Sequence, residues 1–176
     1  MKKLTSQTVS EAFHYKTGIK LGRKIYSGNG DIYHLIGYCA RLVKIDHSYR
    51  TFNELKEMKS IVDKLKYLHK QNNPSVVKLY DVGTFKHSRN GDVHHAYYYI
   101  MEKLNLLPHK GRWHLVSDLR ATIESNIPLD PAHPRKFHRF IERAQQLSLI
   151  HSDLHEYNLM VDKKGTPKFI DLESFW

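Results

Sequence analysis

The sequence predicts an α+β chain on three observations. Runs rich in β-branched and aromatic residues fill most of the first hundred positions, and one amphipathic helical pattern interrupts them. After Leu104 the pattern becomes helical, then closes on a short strand–turn–strand. A chain of 176 residues suits one domain or two small lobes that share an interface, with room for a sizeable core. Its 40% hydrophobic and 26% charged residues exclude an intrinsically disordered chain. No apolar run approaches the ~20 residues of a membrane span. The start "MKKLTSQTVSEAF" is basic but has no apolar stretch, so a secretory signal peptide is not expected. Cys39 is the one cysteine, which excludes an intramolecular disulfide and fits a reducing compartment. As a small hydrophobe it is expected in the core.

Taken in order, residues 1–17 are polar and read as an arm or a short helix. Between 18 and 45, "IKLGRKIY", "DIYHLIG" and "YCARLVKID" read as a hairpin plus a third strand, with a turn at "SGNG". The stretch "RTFNELKEMKSIVDKLKYLHKQ" is helical by period, since Leu55, Met58, Ile61, Val62, Leu65 and Leu68 recur three and four apart. Asn73-Pro74 stops it. "SVVKLYDVGTFK" and "DVHHAYYYIMEKL" form a second strand pair around an Asn90-Gly91 turn. Helices are expected over 113–124 and 134–146, and "NLMVD" and "PKFID" close the chain as a small hairpin.

The formal charge of +10 raises nucleic-acid or anionic-membrane binding. However, the basic residues come in short pairs and no nucleic-acid-binding motif accompanies them, so no nucleic acid is expected as partner. A solvated basic surface whose specific anion is a nucleotide phosphate is the reading. The thirteen histidines lack the HExxH or CxxC spacing of a metal site, which assigns most of them to the surface.

The densest polar chemistry lies in "IHSDLHEYNLMVDKKGTPKFIDLE". Asp153 and Asn158 are five apart, and Asp171 follows Asp153 by eighteen. Phosphoryl transfer uses such a set: an Asp facing the attacking hydroxyl, an Asn on Mg²⁺ and a second Asp on the metals. A phosphoryl group carries dispersed negative charge, so its site needs hard oxygen ligands for Mg²⁺ and one carboxylate at the nucleophile. The strands flanking "DKKGTP" form a hairpin able to hold Asn158 and Asp171 near one metal.

These residues resemble the protein-kinase-like superfamily over about residues 20–176. "IHSDLHEYNLMVD" is similar to its catalytic loop and "FIDLE" to its metal-binding D-F-G. "DLH" resembles kinases of aminoglycosides and lipopolysaccharide sugars, and "EYN" resembles the RIO kinases. "IYSGNGDIYHL" resembles the glycine-rich loop, with Gly28, Asn29 and Gly30 covering the nucleotide; Tyr26 stands at the first glycine position and the loop is one residue short. "RLVK" places Lys44 at the end of an apolar strand, where a lysine wants an anion. At ~100° per residue, Glu54 sits at the centre of the following helix's apolar stripe, with Glu57 at its edge, so Glu54 is expected to pair with Lys44. The resemblance makes Met101 the gatekeeper and gives adenine contacts to backbone groups of Glu102 to Leu104.

The resemblance thus implies a minimal bilobal kinase fold: an arm at 1–17, an N-lobe at 18–101, a hinge at 102–104 and a reduced C-lobe at 105–176. It implies ATP and Mg²⁺ as cofactors, Asp153, Lys44 and His155 as catalytic residues, and Asn158 and Asp171 as metal ligands. Ser152 stands where the family has the Arg that reads an activating phosphate, His155 replaces a Lys aimed at the γ-phosphate, and Glu173 replaces the Gly of D-F-G. With nothing after Trp176, the activation segment and later helices are expected to be missing, activity is expected without phosphorylation, and a partner could complete the C-lobe. The size, "NELKEM" and "NPSVVKLYDVG" resemble minimal kinases that Gram-negative pathogens inject into host cells. A Ser/Thr protein kinase acting on a protein substrate, a host protein if injected, is the leading expectation, made in the cytoplasm and then secreted. The alternatives are a small-molecule kinase and a pseudokinase scaffold.

Overall fold

A computed structural model describes residues 7–28, 30–107, 112–147 and 151–175, and it is a mixed α+β structure. The chain divides into two compact units, Met1–Lys70 with Leu79–Glu102, and Gln71–Lys78 with Lys103–Trp176. Residues 71–78, inside the expected N-lobe, therefore cluster with the second unit.

The first unit is a five-stranded antiparallel sheet with two helices. Its strands are β1 (Leu21–Gly28), β2 (Gly30–Leu35), β3 (Tyr38–Tyr49), β4 (Leu79–Arg89) and β5 (Asp92–Glu102), in the order β1-β2-β3-β5-β4. Asn90 and Gly91 both take positive φ (54° and 86°), the pair of left-handed residues that a tight β4–β5 hairpin needs. One face of the sheet carries Leu35, Val43, Ile45, Phe85, Ala96, Tyr98 and Ile100. Helix α1 (Val9–Thr17) covers that face, driving Phe13 edge-on against Tyr98 and Phe85, with ring centroids 5.2 and 6.1 Å apart. Residues 8–18 are therefore a capped helix. Thr8 and Glu11 bond reciprocally at its start, and Gly18 ends it in the left-handed conformation.

Helix α2 (Phe52–Gln71) follows β3 and buries Met58, Val62, Leu65 and Leu68 at helical spacing. Cys39 is exposed, which corrects the expectation of a core thiol: it is the second residue of β3, beside the Gly37 turn where side chains lie at the hairpin's end. Among the described residues, the histidines His87, His94 and His151 are buried.

In the second unit, β6 (Asn105–Leu106), β7 (Leu159–Val161) and β8 (Pro167–Phe169) form a small antiparallel sheet. Helices α3 (Arg112–Ser125) and α4 (Arg135–Gln146) accompany it, and α4 buries Phe137, Phe140, Ile141 and Ala144. Phe140 packs on Phe169 at 4.8 Å, and Phe169 on Phe175 at 5.4 Å. Phe169 also exchanges backbone bonds with Ser75 and Val77, both 2.8 Å, so residues 71–78 lie along β8. Among the described residues, no helix is long and apolar enough to cross a membrane.

Candidate functional site

In the first unit, Lys44 pairs across β3 with Ile32 of β2 and Tyr99 of β5. It alternates with Val43 and Ile45, so it points to the sheet face opposite α1. That face also carries Tyr99 and Met101, the latter opposite Leu42. Lys44 is only 7% exposed, and a buried ammonium demands anionic company. Gly30 lies directly over it: a Cβ at Gly30 would come 3.1 Å from Lys44 Cε and 3.2 Å from the Ile45 carbonyl, at a φ of +103°. Only glycine fits there. Gly28 ends β1 on the other side of the turn, and Asn29 lies outside the described residues.

The expected Lys44–Glu54 pair is corrected. One Glu54 carboxylate oxygen accepts the backbone N–H of Arg50 and of Thr51, both at 2.7 Å. The Thr51 hydroxyl in turn accepts the Glu54 N–H at 3.3 Å. Glu54 is thus the third residue of a capping box that closes the start of α2. The Thr51 and Arg50 backbone donors hold its pKa below the usual range. Orphan N–H groups at a helix start are strong local donors, and they prevail over a lysine on a neighbouring strand.

Gly28 and Gly30 border an open cavity of about 550 Å³ whose other walls include Lys24, Asp31 and His47, but not Lys44. Asp31 is buried there and accepts from Lys24 Nζ at 2.7 Å, Ser27 Oγ at 2.8 Å and the Tyr33 hydroxyl at 3.0 Å. Burial alone would raise its pKa, but these donors overcome it and bring the carboxyl down to about 2. Asp31 thereby ties Lys24 and Ser27 of β1 to β2 beside the two glycines.

The second unit brings together Asp153, Asn158 and the backbone beside Asp171. His151 organises them. The Asp153 N–H donates to His151 Nδ1 at 3.3 Å, so the ring proton sits on Nε2, 2.9 Å from the Ile170 carbonyl that it bonds. The ring is packed between Phe169 and Phe175, and that burial pushes its pKa down, keeping it neutral as both acceptor and donor. The Asn158 amide donates through Nδ2 to the Asp153 carbonyl at 2.9 Å. Because a carbonyl requires the NH₂ end, the amide oxygen is turned away from that bond. The Ile170 N–H bonds the Asn158 carbonyl at 3.0 Å, and β7 and β8 pair Leu159 with Phe169, so the hairpin sets Asn158 beside the Asp171 backbone.

Asp171 takes a left-handed conformation, φ 56° and ψ 60°, sparsely populated for a residue with a side chain. The Ser174 hydroxyl donates to its Oδ2 at 2.8 Å. The Tyr157 N–H fixes His155 through Nδ1 at 3.1 Å, leaving His155 Nε2 3.6 Å from Asp153 Oδ2. His155 therefore faces the Asp153 carboxylate, whose side chain is 65% exposed. Glu102 ends β5 opposite Arg41, whereas Leu104 is buried in the second unit just before β6.

Among the described residues, no group of three or more His, Cys, Asp or Glu side chains could hold a metal. The amide oxygen of Asn158 and the carboxylate of Asp171 nevertheless suit Mg²⁺, which takes few protein oxygens and completes its shell with phosphate and water. Ser174 is absent from the sequence motifs that mark this region. Its signal is the spacing D-x-x-S, at which a serine can bond back to an aspartate. No protein-family model matches the chain, and no curated protein matches it.

Proposed function

We propose that the chain is an ATP- and Mg²⁺-dependent phosphotransferase with a reduced protein-kinase-like fold, acting on a protein hydroxyl. The observation that carries this reading is the His151 frame. One neutral imidazole ties the Asp153 loop to the residue before Asp171, while Asn158 bonds back to the Asp153 carbonyl. Three residues of the phosphoryl-transfer pattern thereby share one hydrogen-bonded scaffold. In this reading Asp153 orients and accepts the proton of the attacking hydroxyl, and Asn158 and Asp171 supply oxygens to Mg²⁺, which neutralises charge on the phosphates. In the first unit the residue that the reading assigns to the nucleotide is Lys44, buried under the Gly30 turn, with Met101 on the same sheet face. The exposure of Asp153 supports a bulky acceptor such as a protein over a small molecule enclosed in a pocket. An injected effector with a host protein as acceptor is the form of this proposal that "NELKEM" and "NPSVVKLYDVG" suggest.

The test is transfer from γ-labelled ATP to a protein extract with and without Mg²⁺. Wild type should label protein only with Mg²⁺, and Asp153→Asn and Asp171→Ala should lower the rate at least about a hundredfold, or ~2.7 kcal/mol of transition-state stabilisation. Wild-type labelling by Asp171→Ala would refute the assignment. Label found only in small molecules would make the chain a small-molecule kinase, and Mg²⁺-independent nucleotide binding without transfer would make it a binding module.

A further inference from the structure

We propose that the Tyr26 hydroxyl is a contact for the phosphate chain of the nucleotide, and that position 28 is glycine in order to seat the Tyr26 ring. The inference rests on the phosphotransfer reading and assigns a role to the residue at which the sequence departs from the glycine-rich pattern.

Sheet register fixes where Tyr26 faces. Tyr26 pairs with Ile32 across β1 and β2, and Ile32 pairs with Lys44 across β2 and β3. Directly opposed residues of an antiparallel sheet share a face, so these three side chains form one row on the face opposite α1. Next towards the turn, Gly28 stands opposite Gly30. Each glycine lies against a side chain of the Tyr26 row. A Cβ at Gly30 would come 3.1 Å from Lys44 Cε, and a Cβ at Gly28 would come 2.5 Å from the Tyr26 hydroxyl oxygen and 2.7 Å from its Cε1. Opposed Cα atoms in such a ladder are about 5 Å apart. The hydroxyl and the end of the Lys44 side chain thus stand on neighbouring glycines, at the turn end of the face and away from Met101.

A second tyrosine shows the purely structural form of this contact. Gly83 of β4 lies against Tyr98 in the same way, with its Cβ position 2.7 Å from the Tyr98 hydroxyl. Tyr98 is 3% exposed, packs on Phe13 and donates to Asp81 at 2.8 Å, so ring and hydroxyl are both committed inside the first unit. Tyr26 is 58% exposed. A ring laid over a glycine of an edge strand adds stability, but phenylalanine would serve for that alone. The hydroxyl is what reaches the turn end, and a phenol O–H that donates to a charged phosphate oxygen makes a stronger bond than one to a neutral acceptor. Gly28 then has its own reason, since any side chain there would displace the ring.

The experiment measures binding of ADP with Mg²⁺, and of adenosine, to the full chain by calorimetry, beside thermal unfolding of each variant. Tyr26→Phe keeps the ring and should weaken ADP about tenfold, with adenosine affinity and unfolding temperature as in wild type. Gly28→Ala should weaken ADP to a similar extent, and adding it to Tyr26→Ala should cost nothing further. Equal ADP binding by wild type and Tyr26→Phe overturns the proposal and leaves Tyr26 as the cover of an edge glycine. Equal losses for ADP and adenosine overturn it too, because the hydroxyl then does not act through phosphate. A full extra loss from Gly28→Ala in the Tyr26→Ala protein overturns the seating role and gives Gly28 to direct backbone contact with the ligand. Wild-type protein that binds neither ligand overturns the phosphotransfer reading and this inference with it.

Discussion

Lys44 and Glu54 show how a single carboxylate is won by the nearest strong donors. Position 54 lies on the apolar side of α2, one turn before buried Met58, so helical geometry alone makes it a partner for a buried lysine. At the third position of a helix, however, the backbone N–H groups of Arg50 and Thr51 lie 2.7 Å from its carboxylate. The two residues should therefore separate by phenotype. Lys44→Met is expected to weaken ATP binding and to cut kcat/KM at least about tenfold, ~1.4 kcal/mol. Glu54→Ala should lower the unfolding temperature and leave the ATP KM within a few-fold of wild type. Thr51→Ala, which removes the other half of the box, should cost about 1 kcal/mol in the same way. Nucleotide titrations beside melting curves decide it; a Glu54→Ala protein that melts normally but has lost ATP affinity would restore the lysine pairing.

Among the elements, α1 depends on one aromatic anchor. Phe13 is fully buried against Tyr98 and Phe85, and the Thr8–Glu11 box and Gly18 fix both ends of the helix. Phe13→Ala should cost about 3–5 kcal/mol by urea unfolding, because the sheet face beneath it cannot close over the cavity. A loss under ~1 kcal/mol would mean that α1 is detached in solution. Only Ala12 and Phe13 of α1 are buried, which is why a nine-residue polar stretch shows no clear helical period. The longer elements are legible because they repeat their signal: α2 buries a residue every third or fourth position, and β4–β5 flank an Asn-Gly turn. The polar cluster at 151–171 is legible as a motif, since its residue types and spacing are set by chemistry. The bond between Ser152 and Ser174 is not, because 22 residues separate them and no local pattern records a contact that only folding creates.

At the scale of the whole molecule, acid acts on this protein in two ways that salt separates. The formal charge rises from +10 as the thirteen histidines gain protons, a general repulsion that salt screens. The second way is local to the first unit. His94 is buried, and its Nδ1 accepts the Arg50 Nε–H at 3.2 Å, which only a neutral ring can do. His87 of β4 stacks on it at 5.0 Å and donates through Nε2 to the His47 carbonyl at 3.2 Å. Burial, then Arg50, lowers the His94 pKa, with Arg89 and His47 adding to the effect and Asp92 opposing it. Burial likewise lowers that of His87, against the bond to the His47 carbonyl and helped by the nearby His94, His47 and Arg89. Both imidazoles therefore bind a proton more readily in the unfolded chain, so stability rises with pH. Their contribution is whole above the ordinary imidazole value of about 6.5 and is lost as pH falls from there through the folded values. Each histidine held neutral can add at most ~1.4 kcal/mol per pH unit to the slope. Urea unfolding between about pH 7.5 and 5 should show stability falling below about pH 6.5, with roughly 0.5 M salt recovering only part of the loss. His94→Asn, which can still accept from Arg50 but cannot titrate, should flatten the salt-resistant part. A wild-type slope that vanishes in salt, or a His94→Asn profile parallel to wild type, would assign acid sensitivity to overall charge alone.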